Sequence, residues 1–424
     1  MKRLCAVLLS VGLACSLGRD PWTSAFAQNR AETLGPSLHQ TPAVRAAVEA
    51  ARTNEPQTIA DQIKLCEVEA PPFLEAKRAQ LFAEMFRELG LRNVRLDTEG
   101  NVIGERPGAS ATPNVVISAH LDTVFPPGTN IKVRRKGPLL LGPGIGDDCR
   151  GLATVIAVAR ALNAGGVTTP GTITFVGTVG EEGLGDLRGV KRLVNETLKG
   201  RIDRFVSIDG DGLGITNVSI GSTRFRVTFK GPGGHSFGSF GIVNPVHAVA
   251  RAAARVADFQ VPSSPRTTFN VGRIGGGTSI NAIPSEAWME VDLRSGDPAA
   301  LRSLETQLRQ AVQEAAAEEN ARWRSQALGV VIETVGMRPA ARIPTTAPIV
   351  QAALSVSKAL DLPVSFSEGS TDANFPMSLG IPSLTIDSGG RVERVHTTAE
   401  SFDPTDAWKG AQRAVLLSVV LAQP

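Results

Sequence analysis

The chain contains no tyrosine, and Phe and Trp bring its aromatic share to only 5%. It has little charge imbalance: 44 Lys and Arg stand against 41 Asp and Glu, a formal net charge of +3. No basic stripe with interleaved aromatics is present, so the electrostatic footprint of a nucleic-acid binder is missing. No apolar run reaches the roughly 20 residues needed to span a bilayer. Internal repeats and low-complexity tracts are absent. Cysteine is scarce at four residues and histidine at five.

What is present is globular. Hydrophobic residues make up 42% of the chain and charged residues 20%, enough for a sizeable core. At 424 residues, two domains are expected. Residues 1–27 have the pattern of a signal peptide. Lys2 and Arg3 precede the apolar stretch Leu4–Leu17, and Ala25-Phe26-Ala27 offers a small-x-small cleavage site. Maturation near Gln28 would give a soluble exported protein, periplasmic or secreted. Leu13-Ala14-Cys15 also allows a lipid anchor at Cys15, although Gly12 falls where such signals favour a larger apolar residue. Cys5 and Cys15 would leave with the leader. Cys66 and Cys149 would then sit in a compartment that permits disulfides.

Apolar runs alternate with helical patterns. Leu81, Phe82, Met85, Phe86 and Leu89 fall on one helical face. Strands are expected at 115–119, 173–179 and 205–208, with helices at 152–162 and near 188–198. Near residue 221 the pattern changes. Phe225, Val227 and Phe229 alternate with polar residues, as in a half-exposed antiparallel strand. A βαββαβ order follows to about Met337, and then the earlier character returns. The expectation is an α/β catalytic domain with a mainly parallel sheet, made of residues 28–220 and 338–424. A smaller α+β domain, residues 221–337, is inserted between them.

The chemistry gathers at strand ends. His120, Asp147, Glu181, Glu182, Asp209 and His396 each sit where an apolar run gives way to a Gly-rich or polar turn. In open α/β sheets, ligands bind at the carboxyl ends of the strands, so these residues are expected to converge. Their types suit divalent metals. His120-Leu121-Asp122 offers an imidazole and a carboxylate that fixes its tautomer. Taken alone, it equally describes a hydrogen-bonded turn. In Gly146-Asp147-Asp148, one carboxylate could bridge two cations, or the pair could cap the next helix. Glu181-Glu182 allows one carboxylate to bind metal while its neighbour takes a proton from water. Near Asp209, Asp211 is an alternative participant. Five ligands, one of them bridging, fit two metals about 3.5–4 Å apart.

These motifs resemble the M20 family of metallopeptidases and amidohydrolases over roughly residues 58–420. They are Ser118–Val124, Gly146-Asp147-Asp148, Gly180-Glu181-Glu182-Gly183, Ser207–Gly210, Gly233-Gly234-His235-Ser236 and His396–Glu400. The resemblance implies that Asp147 bridges two zinc ions, with cobalt or manganese fitting similar ligands. Glu182 and His396 would complete one site, and His120 and Asp209 the other. Glu181 would be the general base and Asp122 the support of His120, with Asp148 behind the ligands. The inserted domain would be a lid and dimerisation domain. His235 would stabilise the oxyanion, often in a partner's site, while Asn281 and Arg294 would hold a small peptide or N-acyl amino acid. His247 carries no motif and is taken as structural.

Relatives often have Lys after the bridging Asp, where this chain has Cys149-Arg150. Cys66 lies in a segment that the family places beside the metals, so a Cys66–Cys149 disulfide bracing that loop is one expectation, against a thiol near zinc or two inert core cysteines. Two alternatives to the M20 reading stand. An M28-type aminopeptidase would share the double Asp and double Glu but lack the inserted domain. A non-catalytic binding protein on this fold would show eroded ligands.

Overall fold

The computed structural model describes residues 33–424, so the expected leader at residues 1–27 lies outside the described residues. A nine-stranded sheet organises the larger part of the chain. Its centre is four parallel strands in the spatial order Thr172–Thr178, Asn114–His120, Arg204–Ile208 and Ser383–Ile386. Every residue of Asn114–His120 is buried. The reason is that both faces are covered. Val115 and Ile117 pack into a core with the helices Pro42–Thr53, Cys149–Ala164 and Trp408–Leu421. Val116 points the other way, into a second core with Leu187, Val190 and Leu193. A strand buried on both sides reads as a continuous apolar run rather than an alternating one.

The sheet is mixed, which corrects the expectation of a mainly parallel one. Its parallel centre is flanked by antiparallel edges. The hairpin Arg92–Leu96 with Val102–Arg106 pairs antiparallel to Thr172–Thr178. On the other side, Ile215–Ser219 runs antiparallel to both Ser383–Ile386 and Ala341–Arg342, with Phe366–Gly369 parallel beside it. A tight connection such as Asp97–Asn101 can join only antiparallel neighbours, because a parallel crossover needs a dozen or more residues.

The second large sheet has four antiparallel strands, ordered Thr267–Gly276, Glu286–Ser295, Gly221–Lys230 and Gly329–Arg338. With the helices Pro245–Ala257 and Pro298–Arg322, the chain order is strand, helix, strand, strand, helix, strand. Phe225, Val227, Phe229, Met289, Val291 and Leu293 are buried against those helices. Each helix has Pro in its first turn and a side-chain cap, Asn244 on Val246 and Asp297 on Ala299 and Ala300.

A small third sheet was not expected from sequence. It joins Arg391–Glu393, Ser401–Asp403, Leu139–Leu141 and Arg134–Lys136. Its importance is positional. The Gly-rich loop of Asp147 leaves from Leu141, and His396 lies between two of its strands. The last helix begins at Trp408.

Candidate active site

His120 ends its strand in register with Thr178 of the neighbouring strand. The residues that follow each strand, Asp122 on one and Glu181-Glu182 on the other, are therefore delivered side by side. The two Asp122 carboxylate oxygens accept the Glu181 and Glu182 amides at 3.0 and 2.7 Å. Burial alone would raise the pKa of this carboxyl, but the His120 ring and these two amides hold it below the usual value. The His120 Nδ1 lies 3.1 Å from the Asp122 backbone carbonyl and 3.6 Å from its carboxylate. The nearer carbonyl orients the ring, while the carboxylate shapes the turn of the double Glu.

Asp147 lies between the two histidines. Its Oδ1 is 3.0 Å from His120 Nε2, and its Oδ2 is 3.0 Å from His396 Nε2. His396 Nε2 is also 2.9 Å from Glu182 Oε1. Ligand atoms of His120, Asp147 and Glu182 all fall within 4.8 Å of one another. An imidazole lone pair cannot face a carboxylate oxygen at such distances, so each contact needs a shared cation, a proton or a metal. Where the proton is taken, Asp147 and Glu182 raise the His396 pKa to about 10. At His120, burial opposes the charged ring, but Asp122 and Asp147 outweigh it and the pKa rises well above normal. A nitrogen–oxygen donor set with one shared carboxylate fits a pair of divalent ions. The backbone at His396 has φ of 63°, a left-handed conformation uncommon for a non-glycine residue.

Asp209 lines the same cavity as Asp147, Glu181, Glu182 and His396. Burial raises its pKa to about 7, with the nearby Asp147 and Glu182 adding to the shift. Asp211 is committed elsewhere, its Oδ2 accepting the Val392 amide at 3.0 Å. Asp148 is fully buried and accepts the amides of His120 at 2.9 Å and of Gly151 at 3.0 Å, capping the helix Cys149–Ala164. Glu181 is buried, and that burial raises its pKa well above normal despite the Arg338 charge.

Two site residues escaped the sequence reading. Arg338 is buried and donates to Glu181 Oε1 at 2.7 Å and to Ser370 Oγ at 3.1 Å. It ends a strand of the second sheet, where a lone Arg carries no motif. Glu400 is wholly buried, and its carboxylate accepts the amides of Gly144, Gly146 and Asp147 at 3.1, 2.8 and 3.1 Å. It holds the Asp147 loop to the His396 segment. Its place in His396–Glu400 was visible, but its partner was not.

The second sheet contributes Arg294 to the cavity wall, with its Nε 2.6 Å from Asp292 Oδ2. His235 and Asn281 do not line that cavity. They sit on an exposed two-stranded ribbon, where His235 pairs with Ala282 and Ser236 donates to the Asn281 carbonyl at 2.9 Å. His247 is exposed on the helix Pro245–Ala257, 3.9 Å from buried Glu319. Cys66 and Cys149 are fully buried free thiols that pack in one small cluster, the Cys66 thiol donating to the Pro143 carbonyl at 3.5 Å. No helix among the described residues is long and apolar enough to cross a membrane.

The cavity is roughly 460 Å³, lined by the carboxylates of Asp147, Glu181, Glu182 and Asp209 and by Arg224, Arg294 and Arg338. Comparison with known proteins agrees with this arrangement. The sequence model of peptidase family M20/M25/M40 matches residues 116–417, which takes in the whole cavity wall and the four-stranded sheet. The chain is 25% identical over 386 residues to the "uncharacterized protein YqjE" of Bacillus subtilis (strain 168), covering 86% of this chain and 98% of that protein. It is 27% identical over 248 residues to carboxypeptidase G2 of Pseudomonas sp. (strain RS-16), covering 56% and 58%. The solved YXEP protein of Bacillus subtilis, a dinuclear metal-binding peptidase from the M20 family, superposes with a TM-score of 0.67 at 18% identity. That superposition covers 87% of this chain and 99% of that one. Of the two peptidase readings that a double Asp and a double Glu allow, the match favours the first. The chain thus belongs to peptidase family M20/M25/M40 and is a metal-dependent hydrolase of peptide or amide C–N bonds.

Proposed function

We propose that the chain is an exported two-metal exopeptidase acting on small peptides, or the closely related hydrolase of N-acyl amino acids. One observation carries the reading: Asp147 divides its two oxygens between His120 and His396, 3.0 Å from each, beside a buried Glu181. Asp147 would bridge the ions, with Glu182 and His396 on one side and His120 and Asp209 on the other. The donor set fits zinc, and would also accept cobalt or manganese. When bound, the ions would polarise the scissile carbonyl and acidify a water.

The remaining chemistry belongs to the chain. Arg338 occupies Glu181 Oε1, which leaves Oε2 to take the water proton and pass it to the leaving nitrogen. A carboxyl whose pKa is raised by burial suits both halves of that transfer. Arg294, in the cavity wall, would hold the free carboxylate of the substrate. His235 and Asn281 lie outside the cavity of their own chain, which favours a homodimer in which they serve the neighbouring subunit. The leader pattern of residues 1–27 supports export.

The test is a hydrolysis screen of zinc-loaded protein starting at Gln28, over free and blocked di- and tripeptides and N-acyl amino acids. Release of a terminal residue from substrates with a free carboxylate is expected. Internal cleavage of doubly blocked peptides, or no cleavage at all with metal bound, would sink the reading.

A further inference from the structure

The open face of the second sheet carries alternating charged residues. Arg224 and Arg226 stand on one strand, and Glu290, Asp292 and Arg294 on the next. In register, Arg224 lies opposite Asp292, and Arg226 opposite Glu290. Away from the cavity Glu290 takes two guanidiniums, Arg226 at 2.7 Å and Arg273 at 2.9 Å, one on each oxygen. At the cavity the same count is met less well. Arg224 and Arg294 both line the wall and share the single carboxylate of Asp292, at 3.5 and 2.6 Å. Asp186 is engaged by Lys191 at 2.7 Å. Arg338 is committed to Glu181 and Ser370. Two guanidiniums at the cavity wall thus share one carboxylate, and only Arg294 holds it at hydrogen-bond distance.

The place of Arg224 is built rather than incidental. Its other cross-strand partner is Gly336, next to an irregularity between Thr334 and Gly336. A Cβ at Gly336 would come 3.3 Å from Arg224 Cδ, so the missing side chain leaves a lane for the long arginine. Along that lane Arg224 Nη1 reaches the Gly183 carbonyl at 2.6 Å. Gly183 follows Glu181-Glu182 in the turn that carries the base. Arg224 Nε stays 3.5 Å from Asp292 Oδ1, and that buried oxygen has no hydrogen-bond partner. The pair is therefore incompletely satisfied within the chain. Arg294 uses only Nε on Asp292, so its terminal nitrogens are open to a planar anion.

We propose that Arg224 is a specificity-determining residue. Together with Arg294 it clamps the free carboxylate of the residue released from the substrate, and through Gly183 it ties that docking to the turn holding Glu181. The inference rests on the function proposed above and deepens it. Because one guanidinium holds both the carboxylate and the base turn, recognition reaches turnover as well as binding. Arg224 touches the substrate's carboxylate, and acts on the reaction only by positioning.

The experiment compares a dipeptide cleaved in the screen with the same dipeptide as its C-terminal amide, on wild type, Arg224→Gln, Arg224→Lys and Gly336→Ala. Wild type is expected to prefer the free acid. Arg224→Gln should lose about 10- to 100-fold in kcat/KM on the acid, in both KM and kcat, and a smaller factor, in kcat alone, on the amide. Arg224→Lys keeps the charge without the fork and should fall between. Gly336→Ala pushes on Arg224 and should shift selectivity the same way. Metal content and thermal unfolding check that each variant is folded. Should Arg224→Gln fail to fold, the other two variants decide. Equal losses on acid and amide would overturn the inference, as would a wild type that does not discriminate. A metal-loaded wild type that cleaves nothing in the preceding screen would overturn the proposed function itself.

Discussion

The two large sheets place their polar residues by different rules. The nine-stranded sheet is apolar on both faces, and its chemistry collects where strands stop: His120, Glu181, Glu182 and Asp209 all follow buried runs. The four-stranded sheet is apolar only beneath its helices, and its chemistry lies along the open face, at Arg224 and Arg294. A doubly covered sheet has nowhere else to put a charge, because burying an unpaired one costs several kcal/mol. A half-covered sheet can carry charge at every second residue. The first arrangement suits a metal-binding cluster, and the second suits reading a substrate.

The sharpest way to break this division is to change one residue of the first region. Glu181→Gln is expected to lower turnover by about 10²- to 10⁴-fold while metal content stays at the wild-type level. Near-normal activity in that variant would refute the base assignment, and lost metal would make Glu181 part of the metal-binding cluster instead. The complementary change is in the second region. Phe229 is fully buried under the two helices, and Phe229→Ala should cost about 3–5 kcal/mol. Hydrogen exchange should show the loss confined to residues 221–338, with metal still bound. Parallel loss of metal would show that the two sheets form one cooperative unit. The smallest effect concerns Cys66 and Cys149. In protein recovered from an oxidising compartment and then denatured, this buried pair is expected to resist alkylation until reduced. Labelling of both thiols without reductant would show that the loop needs no covalent brace.

The same contrast explains what could be read in advance. Runs such as Val115–Ala119 are legible because a strand buried on both faces is uninterrupted, and the residue that ends it announces itself. Arg204–Ile208 takes in the expected strand at 205–208 for that reason. Phe225, Val227 and Phe229 gave away the second sheet by their period of two. Arg224 and Arg338 were not legible, because an arginine in an alternating strand looks like ordinary solvated charge. Only the register against Asp292 and the approach of Glu181 single them out. The small sheet beside the site was missed because its strands are two or three residues long in their pairings, too short for any period to show. The parallel character was overestimated for a related reason: alternation of strands and helices describes the centre of the sheet but not edges made by hairpins.

The Glu400 carboxylate ties the loop of Asp147 to a segment more than 250 positions later in the chain. Ser383–Ile386, equally late, lies inside the nine-stranded sheet between Arg204–Ile208 and Ile215–Ser219. During synthesis the first half of that sheet therefore emerges without a central strand and without the residue that fixes its key loop. The four-stranded sheet, by contrast, is encoded without interruption and has all its partners within residues 221–338. Folding order follows: the four-stranded sheet can be complete while the nine-stranded one is still open. The His/Asp/Glu cluster is then among the last parts of the molecule to assemble, and a chain truncated before Glu400 would lose the carboxylate that holds the Asp147 loop.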